Sequence, residues 1–304
     1  MRILTLIFVS LIFFSCSKST DPADLRLLRT ESKNYNGNML YTEYGYDNQG
    51  RITTITQHEN NEQPAVAVTI SYNGNEATLL SYPDFEPMAN ETKQVRLTLG
   101  AGGRMVKRIE YYHEVPKATA IQTSEKFRYD TLVCEYDATG LLKKTTTSSY
   151  DSASLNPTFN IVSRSTTSAS YTTVSGNLVS QDEYAVYPII TRNGSITTIS
   201  GGSTERHNVF KYTKAFANNT DFKNAAVLNE YHRYYEPWLN SNYKNMTEQV
   251  IRNTIDKDKN GSVVFTITTT IDIERTYNTE GLLSAVNIVP GTTQYIAINY
   301  FYGK

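Results

Sequence analysis

The chain has 304 residues, of which 39% are apolar, 12% aromatic and 19% charged, and its formal net charge is −1. This composition is that of a folded protein and excludes disordered and collagen-like chains. A net charge so close to zero gives no general attraction for nucleic acid, so no nucleic-acid partner is expected. The chain contains 23 Tyr and 11 Phe but 1 Trp, and it is rich in Thr, which favours strands over helices.

The first residues have the pattern of a bacterial lipoprotein signal. A single charge at Arg2 is followed by uncharged, mostly apolar residues from Ile3 to Phe14, and then by Ser15 and Cys16. A run of about twelve residues at ~1.5 Å each is too short to cross a hydrocarbon core of ~30 Å, so it is a secretory leader. Ending on Ser-Cys resembles a lipoprotein signal, in which the cysteine becomes the first mature residue and carries the lipid. The alternative is a plain signal peptide with an incidental cysteine.

These features divide the chain into a signal peptide at residues 1–15, a polar tether at 16–24 and a single β-sheet domain at 25–304. Acyl chains on Cys16 would hold the protein on a membrane without a spanning segment. We therefore predict an outer-membrane lipoprotein, on the periplasmic face or at the cell surface. The remaining thiol, Cys134, has no partner for an internal disulfide.

A short motif recurs along the chain: Tyr, then Asp or Asn, two residues, Gly and an apolar residue. The clearest copies begin at Tyr46 (YDNQG), Tyr136 (YDATG) and Tyr277 (YNTEG). Weaker copies follow Tyr72 and Leu99 and surround Gly176, Gly194 and Gly261. Asp or Asn can bond the backbone of a turn, and Gly can take its left-handed position. The motif therefore predicts hairpins rather than a catalytic site.

Between the turns, apolar and polar residues alternate with a period of two. From Val263 to Tyr277 the odd positions are mostly apolar, and the even positions from 266 to 276 are Thr, Asp or Glu, which predicts one half-buried strand. The C-terminal strand places Ile296, Ile298, Tyr300 and Tyr302 on one face. Residues 163–175 are polar on both faces, which predicts a strand wet on both sides or a sheet edge.

We therefore predict an all-β fold, a long antiparallel meander of about 15–18 strands that forms a curled sheet or open barrel. One helical insertion is expected near 220–236, with Thr220 or Asp221 as its cap and Pro237 as its stop. We expect the apolar stripe of this helix to cover an open end of the sheet rather than to bind a cofactor.

The leader, the YDxxG hairpins, the insertion containing Phe222 and the Tyr-Phe-Tyr terminus resemble a group of Bacteroidetes lipoproteins of unknown function with a porin-like fold. The hairpins are loosely similar to YD-repeat proteins of the Rhs type. The resemblance covers most of residues 25–304 and implies a long-stranded antiparallel sheet with no established activity. It provides no catalytic residues, and the chain departs from the repeat pattern in having three good YDxxG copies.

The sequence carries few motifs for metal or cofactor chemistry. The histidines His58, His113, His207 and His232 lack paired spacing, and no zinc site or phosphate loop is expected. The run Asp256 to Gly261 (DKDKNG) matches the opening of a calcium loop, but its twelfth position is Ile267, so a charged hairpin turn is favoured. We expect no cofactor and no metal.

The best binding candidates are the aromatic residues near the insertion, Tyr231, Tyr234, Tyr235, Trp238 and Tyr243. Flat rings with polar tips suit a sugar or peptide surface, although simple packing on the sheet is the favoured alternative. The strings Asp130-Thr131-Leu132 and Asp151-Ser152-Ala153 resemble the O-glycosylation sites of Bacteroidetes, at Thr131 and Ser152.

The leading functional hypothesis is a non-enzymatic, lipid-anchored envelope protein that binds a glycan, a peptide or another envelope protein. The alternative is a glycan-acting hydrolase, which needs two carboxylates about 5–10 Å apart and leaves no local motif. The candidate pairs are Asp182 with Glu183 and Asp272 with Glu274, for which a solvated strand face is the other explanation. An integral barrel conflicts with the mean hydropathy of −0.44.

Overall fold

The computed structural model describes residues 26–33, 37–60, 62–81, 89–116, 125–156, 159–211, 248–279, 282–290 and 296–303. In these ranges the chain forms sixteen antiparallel strands and one 3-10 turn at Ala101–Gly103. The strands are β1 (Arg26–Lys33), β2 (Met39–Tyr46), β3 (Ile52–Glu59), β4 (Ala65–Asn73), β5 (Glu76–Ser81), β6 (Ala89–Leu99), β7 (Met105–Pro116), β8 (Glu125–Tyr136), β9 (Leu142–Asn156), β10 (Phe159–Val174), β11 (Asn177–Asn193), β12 (Ile196–Lys211), β13 (Gln249–Asp258), β14 (Val263–Tyr277), β15 (Leu283–Pro290) and β16 (Ile296–Gly303).

Each strand pairs with the next one, and β1 pairs with β16, so the sheet closes into a barrel. At the seam Thr30 lies opposite Tyr300, and Ser32 lies opposite Ile298. The predicted all-β antiparallel meander of 15–18 strands is confirmed. The sequence predicted a curled sheet or an open barrel, and the pairing of β1 with β16 shows that the barrel is closed.

The polar segment 163–175 lies almost entirely in β10, which pairs along its length with β9 and β11. The prediction of a sheet edge is therefore wrong, and the prediction of a strand wet on both sides fits better. Thr166 and Ser168 lie on the outer face of the barrel, whereas Ser165 and Thr167 lie on the inner face. On the inner face Ser165 and Thr167 are partly exposed, whereas Ala169 is buried at 3% exposure and Tyr171 packs against the apolar core, so water meets both faces only towards the rim.

Residues 212–247, which include the predicted helix near 220–236, lie outside the described residues. The strands on either side fix where this segment leaves and rejoins the barrel, because the N–H of Glu248 donates to the carbonyl of Lys211 at 3.0 Å. Both ends of the segment therefore lie at the same end of the barrel as Arg26. Across the described ranges, no helix is long and apolar enough to cross a membrane.

The copies of the motif at Tyr46 and Tyr136 form the same hairpin turn. The Asp47 carboxylate accepts hydrogen bonds from the backbone N–H groups of Gln49 and Arg51, both at 2.9 Å. Gly50 has a φ of 71°, in the region that favours glycine. Asp137 accepts the equivalent bonds from Thr139 and Leu141, both at 2.9 Å. The predicted hairpins are confirmed, and the Asp and Gly of the motif stabilise a turn.

The motif tyrosines tie neighbouring strands together beside these turns. In three hairpins the tyrosine hydroxyl donates to a carbonyl on the preceding strand at 2.5–2.8 Å, and the arginine just before that carbonyl lies over the ring at 4.2–6.0 Å from its centroid. The sets are Tyr46 with Leu27 and Arg26, Tyr72 with Ile52 and Arg51, and Tyr136 with Met105 and Arg104. Each set combines a hydrogen bond with a cation–π contact, so the sequence repeat is also a structural repeat of two strands.

Apolar side chains fill the barrel interior at the end that carries these turns. The largest fully buried side chains are Ile52, Ile55, Leu97, Leu178, Val250 and Val286. They come from strands all around the barrel, so they form one continuous layer, which we call the floor. We call this end of the barrel the closed end, and the opposite end the rim.

Candidate functional site

The inner face of β14 shows how the interior changes from floor to rim. Ile273 is 3% exposed, whereas Ile267 is 44% exposed and Phe265 is 48% exposed. These odd positions share one face because side chains alternate along a strand, so their exposure can be compared directly. It rises towards the rim, where β14 extends beyond its pairing with β15, which ends at Ile271. Above the floor the interior therefore opens to solvent. We call this open space the cup.

A buried charge cluster separates the floor from the cup on β6 and β7. Arg108 and Glu110 are 6% and 3% exposed and form an ion pair, and Lys93 Nζ lies 3.4 Å from Glu110 Oε1. Charges are retained in such a position only when they are paired. Asp130 lies directly opposite Glu110, so two carboxylates share the inner face here. Glu110 is nevertheless held by two cations and shielded from water, so the cluster is structural.

The other side of the cup carries a hydrogen-bonded polar layer at a similar height. Asn208 Nδ2 donates to Gln181 Oε1 at 2.9 Å, and Arg252 Nε donates to Asn208 Oδ1 at 3.0 Å. Arg206 pairs with Glu183 at 2.6 Å. Burial and the nearby Arg206 lower the pKa of Arg252. The layer holds its side chains in place and gives the cup a polar base.

A niche of about 410 Å³ indents the inner wall between β7 and β10, towards the rim. It contains two cross-strand ion pairs: Lys126 Nζ donates to Glu114 Oε2 at 3.0 Å, and Arg128 Nε donates to Asp151 Oδ1 at 2.5 Å. The strand register places all four residues on the inner face. The niche is therefore charged but electrically balanced, and we call it the wall niche.

Glu114 is the most enclosed of these four charges, and it accepts a second hydrogen bond, from the Tyr112 hydroxyl at 2.9 Å. Burial acts to raise the pKa of the Glu114 carboxyl. The hydrogen bonds from Lys126 and Tyr112 outweigh that effect and lower the pKa below its usual value. Glu114 is thus an anion at neutral pH and an unsuitable proton donor for acid catalysis.

Several site residues predicted from the sequence lie outside the described residues. These are the lipidation site Cys16 and the aromatic residues Tyr231, Tyr234, Tyr235, Trp238 and Tyr243. Thr131 and Ser152 are described, and both lie on the outer face of the barrel. Thr131 is opposite Ser148, and Ser152 is opposite Phe127. The two O-glycosylation candidates therefore point away from the cup.

The acid pairs proposed for hydrolysis do not meet in the cup. Asp182 points to the outer face, where it pairs with His207, and Glu183 points to the inner face, where it pairs with Arg206. Asp272 and Glu274 share a face, but that face is the exposed outer one. Neither pair therefore faces the cup with both of its carboxylates.

The residues considered for metal binding form no site in the part of the chain that the structure describes. No cluster of three or more His, Cys, Asp or Glu side chains occurs there. The DKDKNG run forms a hairpin turn at the rim, in which Asp258 Oδ1 accepts hydrogen bonds from the N–H groups of Asn260 and Ser262 at 2.9 Å. Its carboxylate is thus occupied by the turn backbone.

Sequence reasoning missed the wall niche. Its charges occur at alternate positions, as Lys126 and Arg128 do on β8, and this spacing indicates a shared strand face. The spacing does not say which acids lie opposite. That depends on the register of three neighbouring strands, and a bulge between Glu135 and Tyr136 shifts one of the two registers.

No protein family matches the chain, and no curated protein does. Among solved structures, a porin-like protein from Bacteroides vulgatus is 11% identical, with 91% of this chain and 98% of that one covered at a TM-score of 0.45. A porin-like protein from Bacteroides uniformis is 10% identical, with 90% and 96% covered at a TM-score of 0.45. Both neighbours carry the porin-like description that the sequence resemblance named.

Proposed function

We propose that this protein is a non-enzymatic, lipid-anchored barrel of the bacterial cell envelope, which stands in water and binds a polar ligand in its cup. The observation that carries the proposal is the distribution of polarity in the barrel. Buried apolar side chains lie inside the barrel, in the floor, while the outer face of β14 is polar over five successive positions. A barrel embedded in lipid requires the reverse arrangement on its outer wall.

The outer face of β14 gives the argument its scale. Thr266, Thr268, Thr270, Asp272 and Glu274 are five successive outward positions, and all are exposed. At ~3.4 Å per residue they span roughly 27 Å of strand, and a lipid-facing barrel needs an apolar band about 25 Å tall. No such band fits on this strand, which supports a barrel surrounded by water.

The position of β1 suggests how the barrel is oriented on the membrane. The strand starts at Arg26, at the closed end, and Cys16 precedes it by 26 − 16 = 10 residues. A chain of that length reaches at most about 35 Å. A lipid on Cys16 would therefore hold the closed end towards the membrane and leave the rim facing away from it, where a ligand can enter.

The lipid anchor is tested by mass spectrometry of the N-terminus of the protein from its native membrane. We expect a mature chain that starts at Cys16 and carries acyl chains. A chain that begins at Met1, or an unmodified Cys16, would contradict the proposal. The water-facing wall is tested separately with a chain that begins at Ser17. It should be monodisperse in buffer without detergent, whereas aggregation that detergent reverses would indicate a lipid-facing wall.

The outward positions of Thr131 and Ser152 support keeping them as proposed O-glycosylation sites, because a transferase can approach only from outside the barrel. Intact-mass measurement of the native protein should show a glycan mass that falls in steps in the Thr131→Ala and Ser152→Ala variants. An unchanged mass in both variants would remove the proposal without affecting the lipid anchor.

A further inference from the structure

The wall niche has the size of a ligand site. Its volume of about 410 Å³ lies within the range of about 300–1,000 Å³ that small-molecule sites occupy. It opens into the cup, so a ligand reaches it through solvent. Strands β7 to β10 hold it on a continuous sheet, which fixes its polar groups before a ligand arrives.

The charges in the niche favour a neutral ligand over an ion. Glu114 is already paired with Lys126, and Asp151 with Arg128. An anion or a cation would meet a charge of its own sign beside each charge that attracts it, so the balanced pairs give an ion little net attraction. A neutral ligand meets balanced charges and leaves both pairs in place.

The same groups offer hydrogen bonds beyond those that they make to each other. Lys126 has three N–H donors, and its bond to Glu114 takes one of them. The Asp151 carboxylate can accept several bonds, and the Ser163 hydroxyl also lines the niche. Donors and acceptors set side by side match a ligand with many hydroxyl groups, since each hydroxyl both donates and accepts.

The niche also has an apolar part. Ile161, Ala153 and the ring of Tyr112 line it beside the charged pairs. An apolar surface next to a row of paired charges suits a ligand with one hydrocarbon face and a polar edge. A sugar ring has this form, because its C–H bonds lie on its faces and its hydroxyls lie around its edge.

We propose that the wall niche is a binding site for a small neutral saccharide. The inference rests on the proposed function, because it names the ligand class of the cup. The saccharide spans the niche between Tyr112 on β7 and Ile161 on β10, and its hydroxyls bond to Lys126, Asp151 and Ser163. Neutral disaccharides are therefore the correct probes, and charged dipeptides of similar size are the correct competitors.

The test uses the full chain, extracted with its anchor in a mild detergent, and isothermal titration with maltose, cellobiose, lactose and N,N′-diacetylchitobiose. At least one of them should bind with a Kd below about 1 mM. Ser163→Phe fills the niche from its own strand and should weaken binding at least about tenfold. The control is Thr166→Phe, on the same strand but on the exposed outer face, which should bind as the unmodified protein does.

Lys126→Met provides a second variant of similar length, in case Ser163→Phe does not fold. It removes donors from the niche and should also weaken binding about tenfold. The proposal is overturned if none of the disaccharides binds, if they bind equally well to Ser163→Phe and Thr166→Phe, or if a Lys-Glu dipeptide binds in preference to them. None of these outcomes affects the N-terminal mass or the solubility test, so the two proposals can fail separately.

Discussion

Two isoleucines on the same face of β14 provide a direct test of the cup. Ile273 lies in the floor and is 3% exposed, and Ile267 lies six residues nearer the rim and is 44% exposed. We expect Ile273→Ala to lower the free energy of unfolding by about 3–4 kcal/mol, because truncation of a buried Ile also leaves a cavity. Ile267→Ala removes surface that is already half in water and leaves no cavity, so its cost should be roughly 1 kcal/mol.

The measurement is urea unfolding of the chain that begins at Ser17, followed by far-UV circular dichroism, with equal m-values as the condition for comparison. Thr268→Ala, on the outer face between the two sites, is the control and should change the free energy by no more than about 0.5 kcal/mol. Equal costs at Ile273 and Ile267 would refute the reasoning. They would mean that the interior near the rim is as tightly packed as the floor.

Three further predictions concern groups near the closed end. Tyr136→Phe removes the hydrogen bond to the Met105 carbonyl and should cost about 1 kcal/mol in urea unfolding, whereas Tyr129→Phe, on the exposed outer face, should cost almost nothing. Hydrogen bonds from Thr139 and Leu141 lower the pKa of Asp137, so its contribution to stability is present above the pKa of the unfolded chain and is lost as the pH falls through the folded pKa. Asp137→Asn keeps the acceptor without the titration and should therefore flatten the loss of stability below about pH 4 in acid titrations; an unchanged slope would contradict this. Burial raises the pKa of Cys134 to about 12, so Ellman's reagent at pH 8 should react with this thiol only after unfolding.

The hairpins were predictable because their signal is local. An Asp or Asn that bonds the backbone two and four residues ahead, with Gly in the left-handed region, is complete within five residues, as at Asp47 to Arg51. The two faces of β14 were predictable for a similar reason, since alternation depends on the strand alone. Its predicted range from Val263 to Tyr277 agrees with the structure.

Features that depend on distant strands were not predictable. The seam between β1 and β16 joins residues near opposite ends of the chain, such as Thr30 and Tyr300, and no local pattern encodes that pairing. Whether a polar strand face lies on the outer wall or in the cup also depends on closure. For this reason the polar faces of residues 163–175 suggested an edge, although β10 pairs with a strand on each side.

The lengths of the strands set the height of the wall that a ligand must pass to enter the cup. The floor and the tyrosine contacts lie beside the turns of the closed end, so we assign the differences in strand length to the rim. β5 has 6 residues and β11 has 17, a difference that amounts to about 37 Å along the strand direction before tilt.

The described wall is therefore low on the side of β2 to β5 and tall on the side of β9 to β12. The wall niche lies at the edge of the tall side, on β7 to β10. Among the described strands, the side of β2 to β5 is therefore the shortest wall between the surrounding solvent and the cup. The buried apolar layer of the floor supplies the packing that stabilises the barrel. The interior nearer the rim can therefore stay open to solvent.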